Sequence, residues 1–232
     1  MGKVWLKGEY EFASLFSYRV PGFSTAFAPS SPLPGPSAVK LALVATKIEA
    51  TGAVAEGERL FNAIRGMAVA LEPPEWVAIS RIFLRRLKRL KDGRIGQSFG
   101  IREYVHLGGP VGFFLEIAED LAGELTEVMR RLRRIGTSDS LLRCVDVRLE
   151  PPDMALVARP LDDFATSPNP KILQKRPVLP LKDIKPNATF SQVNPFRKGG
   201  GEFTKTQFYI FPLRIEQRGD NWTLYFREAF QG

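Results

Sequence analysis

Residues 76–94 read Trp76-Val77-Ala78-Ile79-Ser80-Arg81-Ile82-Phe83-Leu84-Arg85-Arg86-Leu87-Lys88-Arg89-Leu90-Lys91-Asp92-Gly93-Arg94. Ile79, Ile82, Phe83, Leu87 and Leu90 fit the spacing of a helix, whereas Trp76, Ala78, Ile82 and Leu84 fit a strand, so the apolar pattern alone does not choose. The C-terminal flank decides for strand. Asp92-Gly93 is the dipeptide that short hairpin turns favour, because glycine takes the positive φ such turns require. Beyond it, Ile101, Glu103, Val105 and Leu107 alternate with Arg102, Tyr104 and His106, the period of a strand. The segment therefore predicts a long hairpin over about 76–107. Its outer part gathers Arg81, Arg85, Arg86, Lys88, Arg89, Lys91 and Arg94 against one acid, Asp92. A protruding element of this charge binds phosphate backbones by releasing counterions, without reading bases. The same lysines and arginines would also keep an edge strand from pairing with other sheets. Both uses fit the residues.

Towards the C-terminus, Phe114, Ile117, Ala118, Leu121, Leu125, Val128, Leu132 and Ile135 recur at three- and four-residue steps and predict a helix over 113–135, ended by Gly136. Its acids Glu116, Glu119 and Asp120 lie near the start and Arg130, Arg131, Arg133 and Arg134 at the end, as the helix dipole favours. Short strands are expected at 144–149 and 155–158. Residues 160–200, rich in Pro, Asn, Lys and Ser, read as an extended irregular arm. It ends on Arg197, Lys198 and the triplet Gly199-Gly200-Gly201, a run that would let backbone N–H groups approach a polyanion closely. Residues 208–217 and 222–227, joined by 218–221, read as a closing hairpin.

Towards the N-terminus, Val4, Leu6, Gly8 and Tyr10 alternate with Trp5, Lys7, Glu9 and Glu11, a first strand over about 4–12. An irregular stretch with Phe, Pro and Ser comes next over 14–36. Ser37 is a natural N-cap for a helix over 38–50, with Gly52 its stop, and a second helix is expected over 56–70, ended by Pro73 and Pro74.

The chain has 232 residues, enough for one large domain or two small ones. Lys and Arg number 33 against 25 Asp and Glu, a formal charge of +8, which favours an anionic partner such as nucleic acid over a membrane surface. No apolar run approaches the roughly 20 residues of a membrane span, and Met1-Gly2-Lys3-Val4-Trp5 leads into a strand without a signal-peptide layout. A soluble, cytoplasmic protein is expected. Cys144 is the single cysteine, so no internal disulfide or multi-cysteine metal site is available. Neither a G-x-S-x-G elbow nor a G-x-x-x-x-G-K-[ST] loop occurs, and no cofactor is expected. His106 is the sole histidine; metal-free RNA cleavage can use one His with a Lys or a Tyr, and Tyr104 lies two residues away on the same strand face.

Three separated segments resemble the CRISPR-associated RAMP superfamily, and within it the Cas-five-type Cascade subunit. They are the proline-punctuated Ser31-Pro32-Leu33-Pro34-Gly35-Pro36-Ser37-Ala38-Val39 ahead of a helix, Leu132-Arg133-Arg134-Ile135-Gly136-Thr137-Ser138-Asp139-Ser140-Leu141 ahead of a strand, and the Gly-rich loop 197–201 ahead of the last hairpin. The resemblance implies an α+β protein: a ferredoxin-like, RRM-type domain over 1–159 with a thumb hairpin at about 76–107, then a smaller β-rich part over 160–232. It also implies that the protein holds the 5′ handle of the guide RNA (crRNA) and touches the backbone and large subunits of Cascade, meeting target DNA only through the complex. On that reading the thumb cations contact the RNA backbone and Leu87 and Leu90 wedge between nucleotides. Ser37 and Lys40 form a helix-end phosphate site, Arg134 and Thr137 lie at the second motif, and Arg197, Lys198, Gly199, Gly200 and Gly201 line the groove. Phe16, Tyr18 and Phe23, with Arg19 among them, offer stacking to splayed bases. A non-catalytic binding module leads; a metal-independent endoribonuclease using His106 and Tyr104, and a basic housekeeping nucleic-acid binder, are the other readings.

Overall fold

Alternation in the first ten residues sets the centre of the molecule. In β1 (Lys3–Phe12) Leu6 and Tyr10 turn into the core, while Lys7, Glu9 and Glu11 face the other way. The computed structural model describes residues 2–24, 27–137, 140–164, 175–194 and 202–230, with every side chain in them except those of Arg86 and Lys88. In chain order the further elements are β2 (Phe27–Ala28), α1 (Pro36–Thr51), α2 (Val54–Ile64), β3 (Val69–Glu72), β4 (Trp76–Arg89), β5 (Ile95–Leu107), β6 (Val111–Ala118), α3 (Ala122–Arg131), β7 (Leu142–Leu149), β8 (Arg159–Pro160), β9 (Val178–Ile184), α4 (Phe190–Val193), β10 (Thr204–Ile210), β11 (Leu213–Arg218) and β12 (Trp222–Arg227). The chain is thus α+β, with four α-helices and three sheets among the described residues.

The first sheet has the order β3-β6-β1-β7, every neighbour antiparallel. One connection, α1 and α2, joins β1 to β3; the other, α3, joins β6 to β7. Both pack on one face, over a core of Leu6, Tyr10, Leu43, Phe61, Phe113 and Leu115. A second sheet, β8-β10-β9, and a third, β11-β12-β4-β5-β2, complete the molecule. Two helices are shorter than the sequence suggests. The expected helix over 113–135 is split: residues 111–118 are strand and only 122–131 are α-helix. β6 is buried on both faces, Phe113, Leu115 and Ile117 against the main core and Phe114 against Ala70 and Val157, and a two-sided apolar run imitates helical spacing. The expected helix over 56–70 stops at Ile64 because residues 69–72 join the sheet beside β6. α1 begins at Pro36 behind an extended Gly35, so Ser37 is not its cap. A side chain at Gly35 would collide with the Tyr18 hydroxyl and the Lys182 backbone. Gly52, at φ 69°, does end α1.

The supposed irregular arm contains β9, whose one proline, Pro180, is tolerated because the strand is the edge of its sheet. The expected strand over 208–217 is two strands in different sheets, parted at Pro212. Residues 155–158 form no strand; Ala158 makes one bridge to Leu71.

On its open face the first sheet carries an ion-pair network. Lys7, nearly buried over the Phe114 ring, reaches Glu9, Glu72 and Glu150 at 3.1, 3.2 and 2.9 Å. Arg148 clasps Glu9, Asp146 and Glu150, and Arg227 holds Glu72 at 2.7 Å. Burial pulls the Lys7 ammonium down, but hydrogen bonds to Glu150, Glu9 and Glu72 outweigh it and hold its pKa above 10.5. Arg148 hydrogen-bonding holds Glu9, and Lys7 and Arg148 hold Glu150, below the usual 4.5. Lowered carboxyl pKa values mean that the unfolded chain binds more protons in acid, so this stabilisation is present above 4.5 and is lost as pH falls through the folded values. The contribution of Lys7 is present below 10.5 and is lost as pH rises through its raised value. Thermal unfolding from pH 3 to 7 should show the midpoint falling with acidification, and Glu150→Gln should flatten that fall.

Candidate nucleic-acid interface

β12 pairs with β4 only from Trp76 to Ser80, and β2 meets β5 at Ile101 and Arg102. Residues 82–100 of β4 and β5 therefore pair only with each other and form a projecting ribbon. The turn spans 90–94, longer than a two-residue loop, with Gly93 at φ 83° and Leu90 N–H bonded to the Arg94 carbonyl at 2.8 Å. Strand alternation divides the ribbon. Arg81, Phe83, Arg85, Leu87 and Arg89 share one face with Ile95, Phe99 and Ile101 of the opposite strand. Phe83 is 66% exposed, Leu87 73% and Phe99 55%, and the two phenylalanine rings stack at 5.7 Å. Arginines and exposed apolar side chains thus alternate on one surface, a combination suited to backbone contact with stacking or wedging. Leu90 sits instead against Gly96 on the other side of the ribbon, apart from Leu87.

Arg81 donates to Glu103 at 2.9 Å and Arg94 pairs with Asp92 at 2.6 Å. Arg85, Arg89 and Lys91 are exposed and have no ion-pair partner among the described residues. At the root of the ribbon, Arg19 and Thr137 come together with Arg102, Ser17 and Ala28 around a notch of about 200 Å³. Neither Arg19 nor Arg102 is ion-paired among the described residues, so two free guanidinium groups beside a hydroxyl make a cationic notch suited to an anionic group. Sequence reasoning does not single out Arg102, although its place in the alternating strand is readable. Arg134 and Ser37 line a separate groove on α1, where Arg134 is paired with Glu49 and Ser37 is buried beside the Tyr18 hydroxyl.

Lys40 departs most from expectation. It is fully buried and donates to Asp183 at 2.7 Å and to the Arg65 carbonyl at 3.0 Å, so it faces β9 and not a ligand. Burial lowers its pKa, opposed by Asp183. Phe16 is likewise core, between Phe12 and Tyr18, while Phe23 is exposed. Arg197, Lys198, Gly199, Gly200 and Gly201 lie outside the described residues, as do Ser138 and Asp139 of the second motif. Arg86 and Lys88 lie on β4, paired in register with Ser98 and Gly96 of β5. His106 is exposed and its ring meets the edge of Trp76 at 5.2 Å; Tyr104 is half-buried on the same strand face. No helix among the described residues is long and apolar enough to cross a membrane.

A CRISPR-associated protein Cas5 from Archaeoglobus fulgidus is 39% identical over 230 residues, covering 95% of this chain and 97% of that protein. The chain belongs to the Cas5 family. The resemblance carried by residues 31–39, 132–141 and 197–201 is therefore to its own family. No family model matches the chain. Among solved structures, a CRISPR protein from Archaeoglobus fulgidus is similar with a TM-score of 0.45 and 14% identity, covering 99% of this chain and 92% of that one. A chain of the type III-B Cmr-beta assembly bound to cognate target RNA and AMPPnP is similar with a TM-score of 0.44 and 9% identity, covering 97% and 86%.

Proposed function

We propose that this Cas5-family protein is a non-catalytic RNA-holding subunit of a Cascade-type CRISPR effector complex in antiviral defence, gripping the 5′ handle of the crRNA. The observation that carries the reading is the self-paired ribbon over 82–100, with Arg85 and Arg89 unpaired and Phe83, Leu87 and Phe99 exposed on the same face. The ribbon acts as the thumb. The sheet order β3-β6-β1-β7 with its two helical crossovers supports a ferredoxin-like core beneath it. RRM-type reading across the open sheet face is disfavoured by the carboxylates there and by Phe114 lying buried under Lys7, so the RNA is held at the thumb and the Arg19–Arg102 notch. The backbone and large subunits of the complex flank the held handle, and target DNA is read by base pairing to the guide.

The test is direct. Purified protein, incubated with handle-bearing RNA in a chelator, should bind it and leave it intact, with His106→Ala indistinguishable from the wild type. A metal-free cleavage product that the wild type makes and His106→Ala does not would overturn the non-catalytic assignment. Failure to bind the RNA at all would overturn the function.

A further inference from the structure

A second cavity, of about 320 Å³, opens on the other side of the ribbon root from the cationic notch. Ligand pockets run from about 300 Å³ upward, so it suits one small planar group. Phe23 and Trp222 present exposed aromatic surface to it, at 49% and 39%, and Arg81 and Arg218 stand at its wall. Trp222 is held in place by its turn: its indole lies where a side chain at Gly219 would stand, and the Gly219 N–H bonds the Trp222 carbonyl at 3.0 Å. Glu103 also lines the cavity, its side chain 12% exposed. One of its oxygens accepts from Arg81 Nε at 2.9 Å and the other from the Ser30 N–H at 3.0 Å. A carboxylate has about four acceptor sites, so each oxygen keeps one to offer.

We infer that this cavity captures one splayed nucleobase of the bound RNA, stacked on Trp222 and Phe23, and that Glu103 selects guanine. The inference rests on the RNA-holding function proposed above and adds base reading to backbone holding. Guanine presents two adjacent donors, N1–H and N2–H, on its Watson–Crick edge, which match the two oxygens of one carboxylate. Uracil presents a single N–H between two carbonyl oxygens that a carboxylate repels. Unpaired bases are recognised in this manner, by aromatic stacking and by hydrogen bonds to that edge. A two-bond match of this kind discriminates against the wrong base by about tenfold or more.

The experiment titrates the full chain with short single-stranded RNAs of one length, either all uridine or carrying one guanine, and reads anisotropy and tryptophan emission. Wild type should bind the guanine-bearing RNA about tenfold more tightly and show quenched emission. Glu103→Gln should remove the preference, and Trp222→Ala should lower affinity for the guanine-bearing RNA by about tenfold with no change in salt slope. Equal affinities in the wild type, or a preference that survives both substitutions, overturns the inference and leaves backbone holding intact. Quenching by another protein subunit but not by RNA assigns the cavity to a protein side chain and likewise overturns it. No binding of either RNA removes the underlying function as well.

Discussion

Replacing Arg85, Arg89 and Lys91 together by alanine should weaken binding of single-stranded handle RNA on the order of 50-fold at 0.15 M salt. The magnitude comes from counterion release. Each cation on a phosphate of a single strand adds about 0.7 to the slope of log affinity against log salt, so three remove about 2. Over the interval from 1 M to 0.15 M salt, that slope compounds to between one and two decades of affinity. All three side chains are exposed and carry no ion pair among the described residues, so their charge is open to phosphate. Arg143→Ala supplies the control, because Arg143 lies on the open sheet face and is paired with Glu11; its slope should equal that of the wild type. Phe83→Ala with Leu87→Ser should lower affinity and leave the slope alone, since these side chains act by contact and not charge. A triple variant whose affinity and salt slope match the wild type at 0.15 M would show that RNA does not lie along the ribbon.

The ribbon was legible because its cues are local: period-two alternation on each side of Asp92-Gly93, with cations where a core strand has none. β1 and the N-terminal helical segment were legible for the same reason. What failed was every reading that depends on the partner across the core. β6 has apolar residues on both faces because Trp5, Ala70 and Val157 cover its second side, and only the assembled sheet reveals that cover. β9 carries Pro177 before it and Pro180 within it, composition that reads as an irregular arm until β10 pairs with it. The site divides in the same way. Arg85 and Arg89 are evident from alternation, but the approach of Arg19 to Arg102 and Thr137 joins three distant segments, and so does the meeting of Glu103, Phe23 and Trp222. Lys40 shows the converse. A lysine near a helix start in a basic chain suggests phosphate; the acid that claims it is 143 residues away.

That pairing has a large consequence for stability. Asp183→Asn should destabilise the protein by about 3–5 kcal/mol, because it takes the counter-charge from a fully buried ammonium and leaves it two neutral acceptors, the amide oxygen and the Arg65 carbonyl. Lys40→Met should cost less: it removes the charge and keeps most of the volume, and the remaining carboxylate, 18% exposed, also accepts from the Ile184 N–H at 2.7 Å. The double variant Lys40→Met, Asp183→Leu should recover much of the loss, since a well-packed apolar pair of similar volume substitutes for a buried ion pair. The pH dependence separates this account from a simple packing defect. Burial already sets the folded pKa of Lys40 below 10.5, so between the two values the unfolded chain binds more protons and stability rises with pH. Asp183→Asn removes the group that opposes burial, lowers that folded value further and widens the window. Denaturant unfolding between pH 7 and 10 should therefore show Asp183→Asn regaining stability on the alkaline side and Lys40→Met lacking that gain. A loss in Asp183→Asn of under about 1 kcal/mol, flat with pH, would mean that the Lys40–Asp183 contact does not tie β9 to α1 as the geometry requires.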